Sequence, residues 1–154
     1  MQTKFLRSIN LIVILAIVIS IMQACKKSSD SDSFTWTWNG TSYTGNYKEA
    51  FIQSLGSGSN IIGGTGSTIN STGTGPRISV SSLNVGSYNL TSNLPNTIYF
   101  IDPNGDNLAT TTGILSITSN SNSKLTGNFS ATLVNTTNQT TSLSGSFTNI
   151  KISQ

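Results

Sequence analysis

From Leu125 to Leu133 every second residue is apolar or glycine, and this alternation constrains the fold more than any other feature of the chain. Leu125, Gly127, Phe129, Ala131 and Leu133 share one parity, with Thr126, Asn128, Ser130 and Thr132 between them. Successive side chains of a strand point to opposite faces, so period two describes a strand with one buried face. After the turn residues Asn135 to Thr140, Leu143, Gly145 and Phe147 return in phase, but Ile150 and Ile152 fall on the opposite parity. One inserted residue near Thr148-Asn149 brings both isoleucines back to the core side, so a bulge is predicted there.

The same period recurs upstream. Phe34, Trp36 and Trp38 alternate with Thr35 and Thr37, and Asn39-Gly40 follows. Asn-Gly suits a two-residue hairpin turn, in which both positions need positive φ, so Thr41 to Gly45 is the predicted return strand. Ala50 to Leu55, Ile61 to Thr65, Arg77 to Leu83 and Val85 to Leu90 are further strand candidates. Ile69 to Pro76 is read as a loop, and Thr97 to Ile101 and Gly113 to Ser119 flank an Asp102-Pro103-Asn104-Gly105 turn. Beyond Ile19 only Lys48 to Leu55 is ambiguous with helical spacing. Some nine or ten short strands joined by Gly, Asn and Ser turns predict an all-β domain. Its expected form is an antiparallel β-sandwich or flattened barrel with largely meander connections.

The amino-terminal segment obeys a different logic. Lys4 and Arg7 precede the apolar run Leu11 to Ile19, and Met22-Gln23-Ala24 stands before Cys25, the one cysteine of the chain. Charge, a short apolar core and a small-residue exit describe a secretory signal peptide. The run is too short for a membrane span, which needs about 20 predominantly apolar residues. A cysteine directly after the cut is the acceptor of bacterial lipoprotein processing, with Cys25 the expected lipidation site and membrane attachment through the lipid the expected result. The alternative is ordinary secretion after Ala24, with a free and reactive Cys25 thiol. The expected organisation is a signal peptide over 1–24, a lipidated cysteine and polar tether over 25–33, and one β domain over 34–154. A tether of this length reaches on the order of 15 Å.

Composition removes several functions. The chain has no histidine, which excludes serine–histidine and cysteine–histidine hydrolases and histidine-ligated zinc. Beyond Ser33, Lys48, Arg77, Lys124 and Lys151 stand against Glu49, Asp102 and Asp106, a net charge of +1 with no basic stripe. Nucleic acid is therefore not an expected partner. The glycines from Gly56 to Gly75 carry neither a dinucleotide fingerprint nor a phosphate-loop ending, and no cofactor is expected.

The Asn39-Gly40 hairpin, Gly86-Ser87-Tyr88-Asn89-Leu90, Leu125-Thr126-Gly127-Asn128-Phe129 and Leu143-Ser144-Gly145-Ser146-Phe147-Thr148-Asn149-Ile150 together resemble a family of small, uncharacterised all-β lipoproteins of Bacteroidota. The resemblance spans most of Phe34 to Ile152. It implies an all-β lipoprotein and carries no catalytic residue to transfer; the expected location is the outer membrane. Lys26 and Lys27 directly follow Cys25, with Asp30 and Asp32 further on, which leaves both the periplasmic face and the cell surface open.

Three candidate sites remain. Asp102, Asn104 and Asp106 place oxygen ligands at alternate positions, as a calcium loop does, but the twelfth position is Gly113 rather than a bidentate Glu. Asp-Pro-Asn-Gly is also a turn sequence in its own right, and that reading is preferred. Asp102 and Asp106, or either with Glu49, are candidates for a hydrolase carboxylate pair; carboxylates at a hairpin tip are expected to be solvated, which disfavours it. Trp36, Trp38 and Tyr43 either fill one wall of the core or expose an aromatic face that stacks on sugars or anchors a protein. The leading expectation is a non-enzymatic structural or binding module of the cell envelope, with an envelope protein or a glycan as partner. A surface carbohydrate-binding lipoprotein is second, and a hydrolase third.

Overall fold

The computed structural model describes residues 31–55, 59–65 and 74–153. The signal segment, Cys25 and most of the expected tether lie outside the described residues, as does the greater part of the predicted Ile69 to Pro76 loop.

The described chain is all-β. Its strands are β1 (Ser33–Trp38), β2 (Thr41–Thr44), β3 (Tyr47–Leu55), β4 (Ser59–Thr65), β5 (Gly75–Val80), β6 (Gly86–Thr91), β7 (Thr97–Ile101), β8 (Asn107–Ser121), β9 (Lys124–Val134) and β10 (Thr140–Ser153). All belong to one sheet. Its pairings lead from β10 through β3, β4, β5, β7, β8 and β9 back to β10, so the sheet curls strongly on itself as a flattened barrel. Every pairing is antiparallel except the seam between β10 and β3, which is parallel over Lys151 to Ser153. The β1–β2 hairpin extends the sheet along the first half of β10, and β6 does so along the second half of β8.

Most connections are meanders, as the sequence order suggested. The exceptions are β1 and β3, which lie end to end along β10, and β6 and β7, which share one edge of β8. β1 starts at Ser33, one residue inside the expected tether. There Lys48 Nζ donates to the Asp32 carbonyl at 2.9 Å.

The alternation does what its period requires. Leu125, Phe129, Ala131 and Leu133 on β9, and Leu143, Phe147 and Ile150 on β10, are all buried. They meet Phe34, Ile62, Ile78, Val80, Ile98, Phe100, Leu108 and Leu115 in one core. Each fully buried side chain of this size contributes about 1.5–3 kcal/mol. Gly127 faces Phe147 across the ladder, and Gly145 faces Phe129. A Cβ at Gly127 would stand 2.5 Å from Phe147 Cζ, and one at Gly145 the same distance from Phe129 Cζ. The two phenyl rings thus occupy the volume that the two glycines leave.

The predicted bulge is present. Register shifts between Phe147 and Ile150, with Asn149 at φ 52°. The Asn149 amide donates to Thr126 Oγ1 at 3.0 Å. Ile150 is buried and Ile152 packs against the core. The ambiguous Lys48 to Leu55 segment is strand, and β8 runs well past the Gly113 to Ser119 prediction at both ends.

Candidate functional site

Phe34, Trp36 and Trp38 point to the same side of β1, but their surroundings diverge along the strand. Trp36 is 5% exposed, stacked on Tyr43 at 5.7 Å and edge-on to Phe34 at 6.2 Å. It is core, and half-buried Tyr43 covers it. Trp38, at the end of β1, is only half-buried and lies 5.7 Å from the Phe100 ring. Its indole N–H is buried and has no partner among the described residues. The aromatic-face reading therefore loses Trp36 and keeps Trp38.

Trp38 lines a cleft of about 470 Å³ at one end of the sheet. Three connections build it: the β1–β2 turn supplies Asn39, the β7–β8 loop supplies Asp102, Asn104 and Asp106, and the β9–β10 loop supplies Asn135 and Gln139. Leu108, Thr140 and Thr141 complete the lining. Residues far apart in the chain meet there because the Val134 end of β9 adjoins the Ala109 end of β8 and the Thr140 end of β10.

Each loop is held by its own side chains. Asn39 at φ 48° and Gly40 at φ 75° form the hairpin turn that their sequence predicts. Asn39 Oδ1 accepts from Thr141 Oγ1 at 2.6 Å, tying that turn to β10. Asn135 Oδ1 accepts from the amides of Thr137 (3.0 Å) and Gln139 (2.9 Å), and Asn135 Nδ2 donates to Gln139 Oε1 at 3.1 Å.

Asp102 corrects one expectation. Rather than solvated at a hairpin tip, it is 4% exposed. Its Oδ1 accepts from the amides of Asn104 (2.8 Å) and Asp106 (2.9 Å), and its Oδ2 from Asn104 Nδ2 at 3.4 Å. The carboxylate substitutes for missing ladder partners inside its own loop, which is the turn reading of Asp-Pro-Asn-Gly. Asp102 Oδ1 is thus already engaged by two amides of its own loop. Among the described residues no group of three His, Cys, Asp or Glu side chains could hold a metal.

Glu49 stands apart from both aspartates. Its backbone pairs with Lys151, which faces Lys124 at the start of β9, whereas Asp102 and Asp106 flank the loop near Val134 at its end. Along β9 that separation is about 30 Å at ~3.3 Å per residue. A glycosidase pair needs about 5–10 Å. The structure does not bring Glu49 to the other two.

A second surface was not anticipated. Across the outer face of β6, β8, β9, β10, β1 and β2, paired positions read Ser87, Ser116, Asn128, Ser146, Thr35 and Thr44 in one row. The next row is Asn89, Ile114, Ser130, Ser144, Thr37 and Ser42. Thr35 and Ser146 hydroxyls approach to 3.2 Å, and those of Thr37 and Ser42 to 3.3 Å. These two rows carry no charged side chain, and a shallow groove of about 710 Å³ crosses the face. The signal was in the sequence as the polar half of each alternating strand, but only the register aligns it into rows.

Compared with known proteins, the chain matches no family model, no curated protein and no solved structure.

Proposed function

We propose that this protein is an envelope lipoprotein, acylated at Cys25 and held on the outer membrane, whose β domain is a non-enzymatic binding or structural module. The anchor is supported by the order Lys4 and Arg7, Leu11 to Ile19, Met22-Gln23-Ala24 and Cys25. Several acyl chains, at about 0.8 kcal/mol per buried CH₂, exceed what stable attachment requires.

One observation carries the binding-module reading of the domain. The loop-built cleft beside Trp38 gathers amides, hydroxyls and carboxylates, while the most buried of those carboxylates, Asp102, is engaged by its own loop. A site of that kind holds hydrogen-bonding ligands, and it has no histidine to act as a base. Hydrolysis through Asp102 and Asp106 is the weaker reading, because Asp102 would have to leave two amides to act.

Radiolabelled palmitate tests the anchor. It enters the wild-type chain and does not enter Cys25→Ala; equal labelling of the two would refute acylation at this position.

A further inference from the structure

We propose that the cleft beside Trp38 is a subsite for an uncharged sugar ring of a glycan. The inference rests on the binding-module reading above and names its ligand. Asn39 and Gln139 each use the side-chain oxygen within the protein, so the NH₂ of each remains to donate. Asp106 is exposed and its carboxylate has no hydrogen bond among the described residues, so it remains to accept. Neighbouring sugar hydroxyls both donate and accept, so the two amide NH₂ groups and the Asp106 carboxylate offer them donors and an acceptor together. Trp38 adds an aromatic surface to this polar set, and rings of this type pack against the apolar faces of sugars.

Other ligand classes fit less well. Among the described residues no lysine or arginine lines the cleft, so a phosphate, sulfate or uronate finds no counter-charge there and meets Asp106 instead. An apolar ligand would have to desolvate Asn39, Asn104, Asp106 and Gln139 without replacing their hydrogen bonds. The volume of about 470 Å³ lies within the range of small-ligand sites. The walls are set before any ligand arrives, because Asp102, Asn135 and the Asn39–Thr141 bond fix the three connections.

The test is affinity electrophoresis of the whole acylated chain in a polyoxyethylene detergent. The native gels contain hydroxyethyl-cellulose, soluble starch, xylan, galactomannan or, as the charged comparator, polygalacturonate. At least one neutral polymer should retard the wild type. Gln139→Ala, and Asn39→Gly, which preserves the turn at positive φ, should each weaken that retardation about tenfold. Ser130→Ala on the outer face should leave it unchanged. Trp38→Ala should abolish it, but Trp38 also packs on Phe100, so the two exposed positions decide. The proposal is overturned if no neutral polymer retards the wild type, if Gln139→Ala and Asn39→Gly bind as the wild type does, or if polygalacturonate binds as strongly as the neutral polymers. Palmitate labelling separates the two readings: an acylated chain without sugar binding loses the subsite alone, and a sugar-binding chain without acylation loses the anchor alone.

Discussion

The wall made by β8, β9 and β10 and the loop end that holds Trp38 are built from the same small polar residues put to opposite uses. On the wall, Ser116, Ser130 and Ser144 occupy the outward parity and leave hydrogen bonding to the ladder. At the loop end the ladder stops, and Asp102 and Asn135 take its place by binding backbone amides two and four residues on. Context decides which role such a residue plays. Where strands continue, Ser, Thr and Asn are a solvated face; where they end, Asp and Asn side chains compete for the backbone and become structural.

The contrast predicts how each region breaks. Phe147→Ala removes a ring that fills the space over Gly127 deep in the wall, and should destabilise the domain by about 3–5 kcal/mol in urea unfolding. A loss below about 1 kcal/mol would mean that the wall is not the centre of the core. Asp102→Ala leaves the Asn104 and Asp106 amides without their acceptor and should cost about 1–3 kcal/mol. Asp102→Asn keeps a side-chain oxygen and should recover most of that stability. If both variants unfold alike, charge rather than loop geometry sets the role of Asp102.

How far the sequence alone reached follows the same division. Strict alternation placed β9 and β10, and the parity break at Ile150 located their bulge. Asn39-Gly40 announced its turn because two adjacent positive-φ positions have few other uses. The length of β8 stayed hidden because Thr110 is polar yet fully buried, with its hydroxyl both accepting from and donating to the Ile98 backbone at 2.9 Å. Register shifts after Thr110 and Ile117 then scrambled the period that would have revealed the strand. The Trp38 cleft was illegible for a different reason. Its residues come from three connections that only the pairing of β8, β9 and β10 brings together.

Two smaller effects sharpen the comparison. Asn149→Ala forces alanine into the positive-φ bulge and should cost about 1–2 kcal/mol, whereas Asn149→Gly should cost little; equal losses would place the bulge's stability in the side chain instead. Ser130→Ala, outward on the wall, should change stability by less than about 0.5 kcal/mol. A larger loss would show that the hydroxyl rows contribute to folding.

The parallel seam and the β1 ladder dictate when such a chain can close. β1 joins β10 from Ser33–Thr148 to Trp38–Leu143, and β3 meets β10 at Lys151 to Ser153. The ribosome makes β10 after every other described strand, so β1 cannot complete its ladder before Thr148 is made, nor β3 its seam before Ser153. A polypeptide whose earliest strands must wait for its latest one stays unlocked until the last strand is made, and only then closes.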